Sequence, residues 1–160
     1  MEQLERTKRY HRRIKEIYSG IVSTSGHNEE AYDDDVVSFF IHCYHVRDWI
    51  VHLNKLGITA QQVDSYIDSN RELRICADLA NGSKHCKLTR SIRGNSQPRI
   101  TGKERHTSTW LIGSGGGEVM KCKYSVMSDG ESFDALELAT DCVLLWESYV
   151  HGLEAPSSTK

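Results

Sequence analysis

Apolar residues recur along this chain at helical steps of three and four, and in one later stretch at steps of two, so several helices and one strand pair are expected. Leu4, Tyr10, Ile14, Ile17 and Ile21 trace a first stripe over about 2–20, with the other faces basic. After the small-residue loop Ser23–Asn28, the acids Glu29, Glu30, Asp33, Asp34 and Asp35 stand where a helix N-terminus favours negative charge. The second helix runs to about Leu56 with Phe39, Cys43, Val46, Ile50 and Leu53 as its core stripe, and Gly57 stops it. Thr59 with Gln62 forms a capping box for a short helix to about Ile67. Ser69 with Glu72 forms a second box, for a helix carrying Leu73, Ile75, Cys76, Leu79 and Ala80 and weakened at Asn81–Gly82.

Leu88–Thr107 is polar, basic and rich in Gly, Ser and Pro, which predicts a mobile loop. STWLIG and EVMKCKYSVM flank Ser114–Gly117 and predict a hairpin over about 108–127, ended by Asp129 and Gly130. Ser132 is the expected N-cap of a last helix with Leu138, Cys142, Leu145, Trp146 and Tyr149 on one stripe, to Gly152. The expected fold is mainly α: a four-to-five-helix bundle with a small β-hairpin inserted before the last helix. It forms one domain over 1–153, followed by a flexible tail, 154–160.

Composition narrows the class. With 38% hydrophobic and 26% charged residues the chain is too apolar for wholesale disorder, and no apolar run reaches the roughly 18 residues of a membrane span. The N-terminal segment lacks an apolar signal core, so a cytoplasmic protein with no membrane partner is expected. Five cysteines, an odd number, are widely spaced without a CxxC pair, which predicts reduced, buried thiols and no structural zinc. Although the net charge is −2, thirteen of the twenty Lys and Arg residues fall in 6–15 and 84–105. Side by side, those segments would attract phosphate, because counterion release follows local charge.

The second helix carries unusual chemistry for an apolar segment. FFIHCYHVRDWIVHL, Phe39–Leu53, contains His42, His45, Arg47 and His52. At 100° per residue, His45, Asp48 and His52 share one face, and Asp48 between two imidazoles would orient either as a general base. Their i, i+3, i+7 spacing lacks the i, i+4 histidine pair of zinc hydrolases, so neither metal nor cofactor is expected. A second string, DLANGSKH, repeats Asp78, Asn81 and His85 on one helical face. Asn81, Lys84, His85 and Lys87 would then bind phosphate or base beside the first helix's Arg9, Arg12 and Arg13.

RDWIVH, Arg47–His52, an arginine followed by a polar residue and then a histidine in a helical protein, resembles the signature of the HEPN superfamily. That resemblance implies a metal-independent endoribonuclease of a toxin–antitoxin, abortive-infection or other defence system. It implies a homodimer whose cleft is lined by Arg47 and His52, the histidine in acid–base chemistry and the arginine stabilising the phosphorane. It also implies RNA as substrate and an antitoxin or other protein as partner. The competing expectation is a noncatalytic helical interaction module of a defence or regulatory complex, in which the polar cluster fixes geometry.

Overall fold

The computed structural model describes residues 1–20, 29–53, 57–84, 92–112 and 115–154, with side chains described except at 29, 110–112, 115–118 and 154. Five helices and a three-stranded antiparallel sheet follow in the order α1 (Glu2–Ser19), α2 (Glu29–Leu53), α3 (Ala60–Ser69), α4 (Arg71–Lys84), β1 (Arg99–Ile112), β2 (Gly115–Ser128), β3 (Glu131–Asp134) and α5 (Ala135–Glu154). No helix among the described residues is long and apolar enough to cross a membrane.

Helix α2 is central and packs on each of the other four helices. Val36, Phe39, Phe40, Cys43, Val46 and Ile50 are buried along it at helical spacing. The stripe ends at Ile50, one turn before the helix does, and Leu53 stays 43% exposed, contrary to its expected core position. α4 contributes Leu73, Ile75, Cys76, Ala77 and Ala80, and α5 contributes Leu138, Ala139, Cys142, Val143 and Trp146.

Helix α1 departs from the expected stripe. Its buried face is Gln3, Leu4, Thr7, His11, Ile14 and Ile17, with Tyr10 only half-buried and Ile21 outside the described residues. The polar members are satisfied locally, as burial demands. Thr7 donates to the Gln3 carbonyl at 3.0 Å, and His11 Nε2 lies 2.9 Å from Thr140 Oγ1. Because that hydroxyl already donates to the Leu136 carbonyl, His11 is the donor and its ring proton sits on Nε2. α1 ends at Gly20 with φ +71°, where a Cβ would stand 2.3 Å from Val119 Cγ1; only glycine lets the helix end approach β2 this closely.

Burial first, and the Lys15 charge second, bring His11 down to about 4 from its ordinary 6.5. The unfolded imidazole takes a proton near 6.5 and the folded one near 4, so between those values the unfolded state binds more protons and stability falls as pH falls. The full drop is about 3 kcal/mol at 1.36 kcal/mol per unit. His11→Gln retains a donor to Thr140 without the titration. Urea unfolding at pH 7 and pH 4.5 is expected to show the variant gaining on wild type by about 2 kcal/mol or more at the lower pH; a difference independent of pH would refute the assignment.

The short-range signals were mostly honoured. Thr59 and Gln62 form the reciprocal capping box of α3. The second box does not form: Ser69 remains inside α3 with its hydroxyl on the Ser65 carbonyl at 2.8 Å, and α4 starts at Arg71 after Asn70. Nor does Ser132 cap the last helix, since it lies in β3. Asp134 caps α5 instead, accepting from the Leu136 and Glu137 amides at 2.8 and 3.1 Å.

The hairpin is longer than expected. β1 pairs with β2 from Arg99↔Met127 to Ile112↔Gly115, with a bulge between Ile100 and Gly102. Residues 99–107 are thus strand, not loop. Their polar side chains mark a sheet surface left largely to solvent, while β2 buries Cys122, Tyr124, Val126 and Ser128 in alternation. Asp129 and Gly130, both at positive φ, form a two-residue turn into β3, which pairs Ser125–Ser128. Of the expected mobile loop, 88–91 lie outside the described residues and 93–96 are held by carboxylates. The amides of Arg93 and Gly94 donate to Asp78, and those of Asn95 and Ser96 to Asp129 Oδ1.

Candidate nucleic-acid interface

The amphipathic spacing of α1 and α2 brings two basic turns of α1 against the polar flank of α2. Gln3 Nε2 donates to the His42 carbonyl at 2.8 Å and reaches His42 Nδ1 at 3.3 Å. A carbonyl only accepts, so the amide orientation follows, and the ring proton of His42 sits on Nε2. Tyr10 stacks on the His42 ring with centroids 4.8 Å apart, and Arg13 covers the Tyr10 ring at 4.9 Å. His45, one turn further, meets His42 edge to face at 6.4 Å.

Lys84, the last residue of α4, closes the group, with Nζ 3.3 Å from His45 Nε2. An ammonium has no lone pair, so His45 accepts at Nε2 and carries its proton on Nδ1. Burial holds both imidazoles below their ordinary range. For His42 the charges of Arg6, His45 and Arg9 add to burial; for His45 the charge of Lys84 adds to it and that of Asp48 opposes it. Two neutral imidazoles therefore sit within the field of Arg6, which pairs with Glu2 at 3.2 Å, of Arg9 and of Lys84, beside an aromatic ring.

The Arg47 environment differs. Nε and Nη2 grip both oxygens of Asp64 at 2.8 and 2.6 Å, and Nη1 meets Asp48 Oδ1 at 2.8 Å. Asp64 also takes Arg93 Nη2 at 2.8 Å, while Arg93 Nη1 pairs with Asp68. The Arg47 bond leads in holding the Asp64 carboxyl below its ordinary range. Asp48 is tied to Arg47, while its charge also reaches His45. Exposed His52, five residues beyond Arg47, is about 140° round the helix from it.

Of the basic residues expected to bind RNA, Arg9 and Lys84 join the imidazole group. Asn81 is half-buried one turn before Lys84. Arg13 pairs with Asp35 at 2.8 Å. Arg12 lies on another flank, lining with Lys8, His11, Lys15 and Glu147 a cavity of about 350 Å³ between α1 and α5. His85 and Lys87 lie outside the described residues.

No protein-family model, curated protein or solved structure matches the chain. Residue chemistry alone carries the functional reading. The sequence marks His42 as a reactive group of the second helix without giving it a role, and Tyr10 only as a core position. Their signal was the three-residue step from His42 to His45 and the basic turns around Tyr10, legible only once α1 and α2 are paired. One other group stands out. Cys43, Cys76 and Cys142 place their sulfurs within 4.8 Å of one another, the one set of three potential metal ligands among the described residues.

Proposed function

We propose that this chain binds RNA on the α1–α2–α4 face and cleaves it without metal, with His45 and His42 as the acid–base pair. The observation that carries the reading is the neutral His45 imidazole 3.3 Å from the Lys84 ammonium, inside a group that also holds His42, Arg6 and Arg9. Cations around neutral imidazoles leave a place for an anion. A phosphodiester there takes over Lys84, frees His45 Nε2 to accept the ribose 2′-hydroxyl proton, and raises the pKa of His42, which takes up a proton at Nδ1 as the Gln3 amide turns away from it and so has the Nε2 proton to give. The 2′-oxygen bonds to phosphorus, the bond to the 5′-oxygen breaks, and that oxygen takes the His42 proton. Arg6, Arg9 and Lys84 stabilise the added charge.

A HEPN-like site would use Arg47 and His52 instead, with two protomers meeting at α2. The pairing of Arg47 by Asp64 and Asp48 favours a second reading for that pair, a structural brace within a noncatalytic interaction module. The test separates these. Total RNA is incubated in EDTA with wild type and with His45→Ala, Arg47→Ala and His52→Ala, each checked for folding. Loss confined to His45→Ala supports the imidazole pair. Loss in folded Arg47→Ala and His52→Ala with His45→Ala active moves the chemistry to the HEPN-like pair. No cleavage by wild type overturns catalysis.

Binding has its own signature. Arg9→Ala is expected to reduce the slope of log affinity against log salt for single-stranded RNA by about 0.7, as loss of one phosphate contact does. Arg12→Ala, facing the α1–α5 cavity, should leave it unchanged. Equal effects from the two arginines would mean diffuse attraction in place of a defined track.

A further inference from the structure

Cys43 on α2, Cys76 on α4 and Cys142 on α5 come from three helices and are separated by 33 and 66 positions, yet all three are 1% exposed or less and their sulfurs converge. Cys76 reaches the Phe40 carbonyl at 3.5 Å and Cys142 the Glu72 carbonyl at 3.4 Å, contacts that set both side chains facing the α2–α4–α5 seam. Trp146, one turn after Cys142, is 1% exposed, and its indole Nε1 is the one buried side-chain nitrogen or oxygen among the described residues without a hydrogen-bond partner. An orphaned N–H in a dry core is costly and calls for an acceptor.

We propose that Cys43, Cys76 and Cys142 form a three-sulfur site for a thiophilic cation, copper(I), with the Trp146 N–H directed at the Cys43 sulfur. Thiolates are soft ligands that select copper(I), zinc and iron–sulfur centres. Zinc in a closed protein site takes four ligands, whereas no fourth histidine, cysteine or carboxylate joins this group among the described residues. Copper(I) accepts three sulfurs in a plane. At a metal–sulfur length near 2.3 Å such a plane spaces the sulfurs by about 4.0 Å, so the cluster, within 4.8 Å, needs only a small inward movement. Binding releases the thiol protons to solvent and changes no oxidation state. An indole N–H on a metal-bound sulfur is the kind of outer contact that tunes affinity about tenfold or more.

The test is anaerobic. Reduced protein is equilibrated with copper(I) in the presence of a competing colorimetric copper(I) chelator, and the retained copper is examined by X-ray absorption. Wild type is expected to keep one copper(I) per chain, ringed by three sulfurs. Cys142→Ala should weaken retention at least a hundredfold, Trp146→Phe about tenfold, and Cys122→Ala, buried elsewhere, not at all. Failure to retain copper, coordination by fewer than three sulfurs, or retention of zinc(II) in its place would each overturn the assignment. The absorption measurement on wild type decides even if a core variant does not fold.

Discussion

Under the ribonuclease reading, His45→Ala slows RNA cleavage by between a hundredfold and ten-thousandfold, the range that one positioned acid–base group supplies. The melting temperature should hardly move, because the His45 side chain is only half-buried and its one hydrogen-bond contact among the described residues is the exposed one to Lys84. Lys84→Ala tests the same geometry differently. It removes a cation that both binds the phosphate and holds the imidazole neutral, so affinity falls while the His45 pKa climbs toward its ordinary value. The acid limb of the pH–rate profile should accordingly move to higher pH in Lys84→Ala. A profile unchanged by the lysine substitution, or a His45→Ala enzyme within threefold of wild type, would remove His45 from the chemistry.

The second large effect concerns stability. Asp64→Ala is expected to cost about 2–3 kcal/mol, because one carboxylate compensates two guanidiniums, Arg47 and Arg93, whose side chains are only 22% and 18% exposed. Buried pairs lose 3–5 kcal/mol when one partner goes, and partial solvation of these groups lowers the figure. For a chain of this size the loss corresponds to a drop in Tm of about 4–12 °C. Arg93 keeps Asp68 and Arg47 keeps Asp48 as fallbacks, so Asp64→Asn should recover part of the loss. A shift below about 0.5 kcal/mol, the ordinary size for a surface substitution, would show these ion pairs to be ornamental.

Local codes are legible in the sequence. The Thr59–Gln62 box, Gly57 at positive φ and the spacing of Phe39, Cys43, Val46 and Ile50 depend on neighbours a few residues apart, and the structure shows all of them. Readings failed where distant partners decide. The strand over 99–107 has no apolar alternation of its own and is recruited by β2, which pairs Arg99 with Met127 and Thr107 with Met120. α1 buries Gln3, Thr7 and His11 because His42 and Thr140 receive two of them, which no periodicity announces. Site residues divided in the same way. His45 and Lys84 were visible as reactive types on helical faces, but that Arg47 is occupied by Asp64, seventeen positions away in another helix, is a fact of packing alone. The convergence of three cysteines across 99 positions is likewise invisible to spacing rules.

Carboxylates hold residues 93–96, ahead of β1. Asp64 and Asp68 grip the Arg93 side chain, Asp78 takes two successive backbone amides and Asp129 two more, whereas Ile92 is 37% exposed. Helices sealed by oil-like contact and a connector sealed by anions respond to different solvents. High salt loosens the ion pairs of Arg93 while leaving the apolar seams intact. In amide hydrogen exchange, residues 93–96 are therefore expected to open as a unit of their own, below the free energy of the helices.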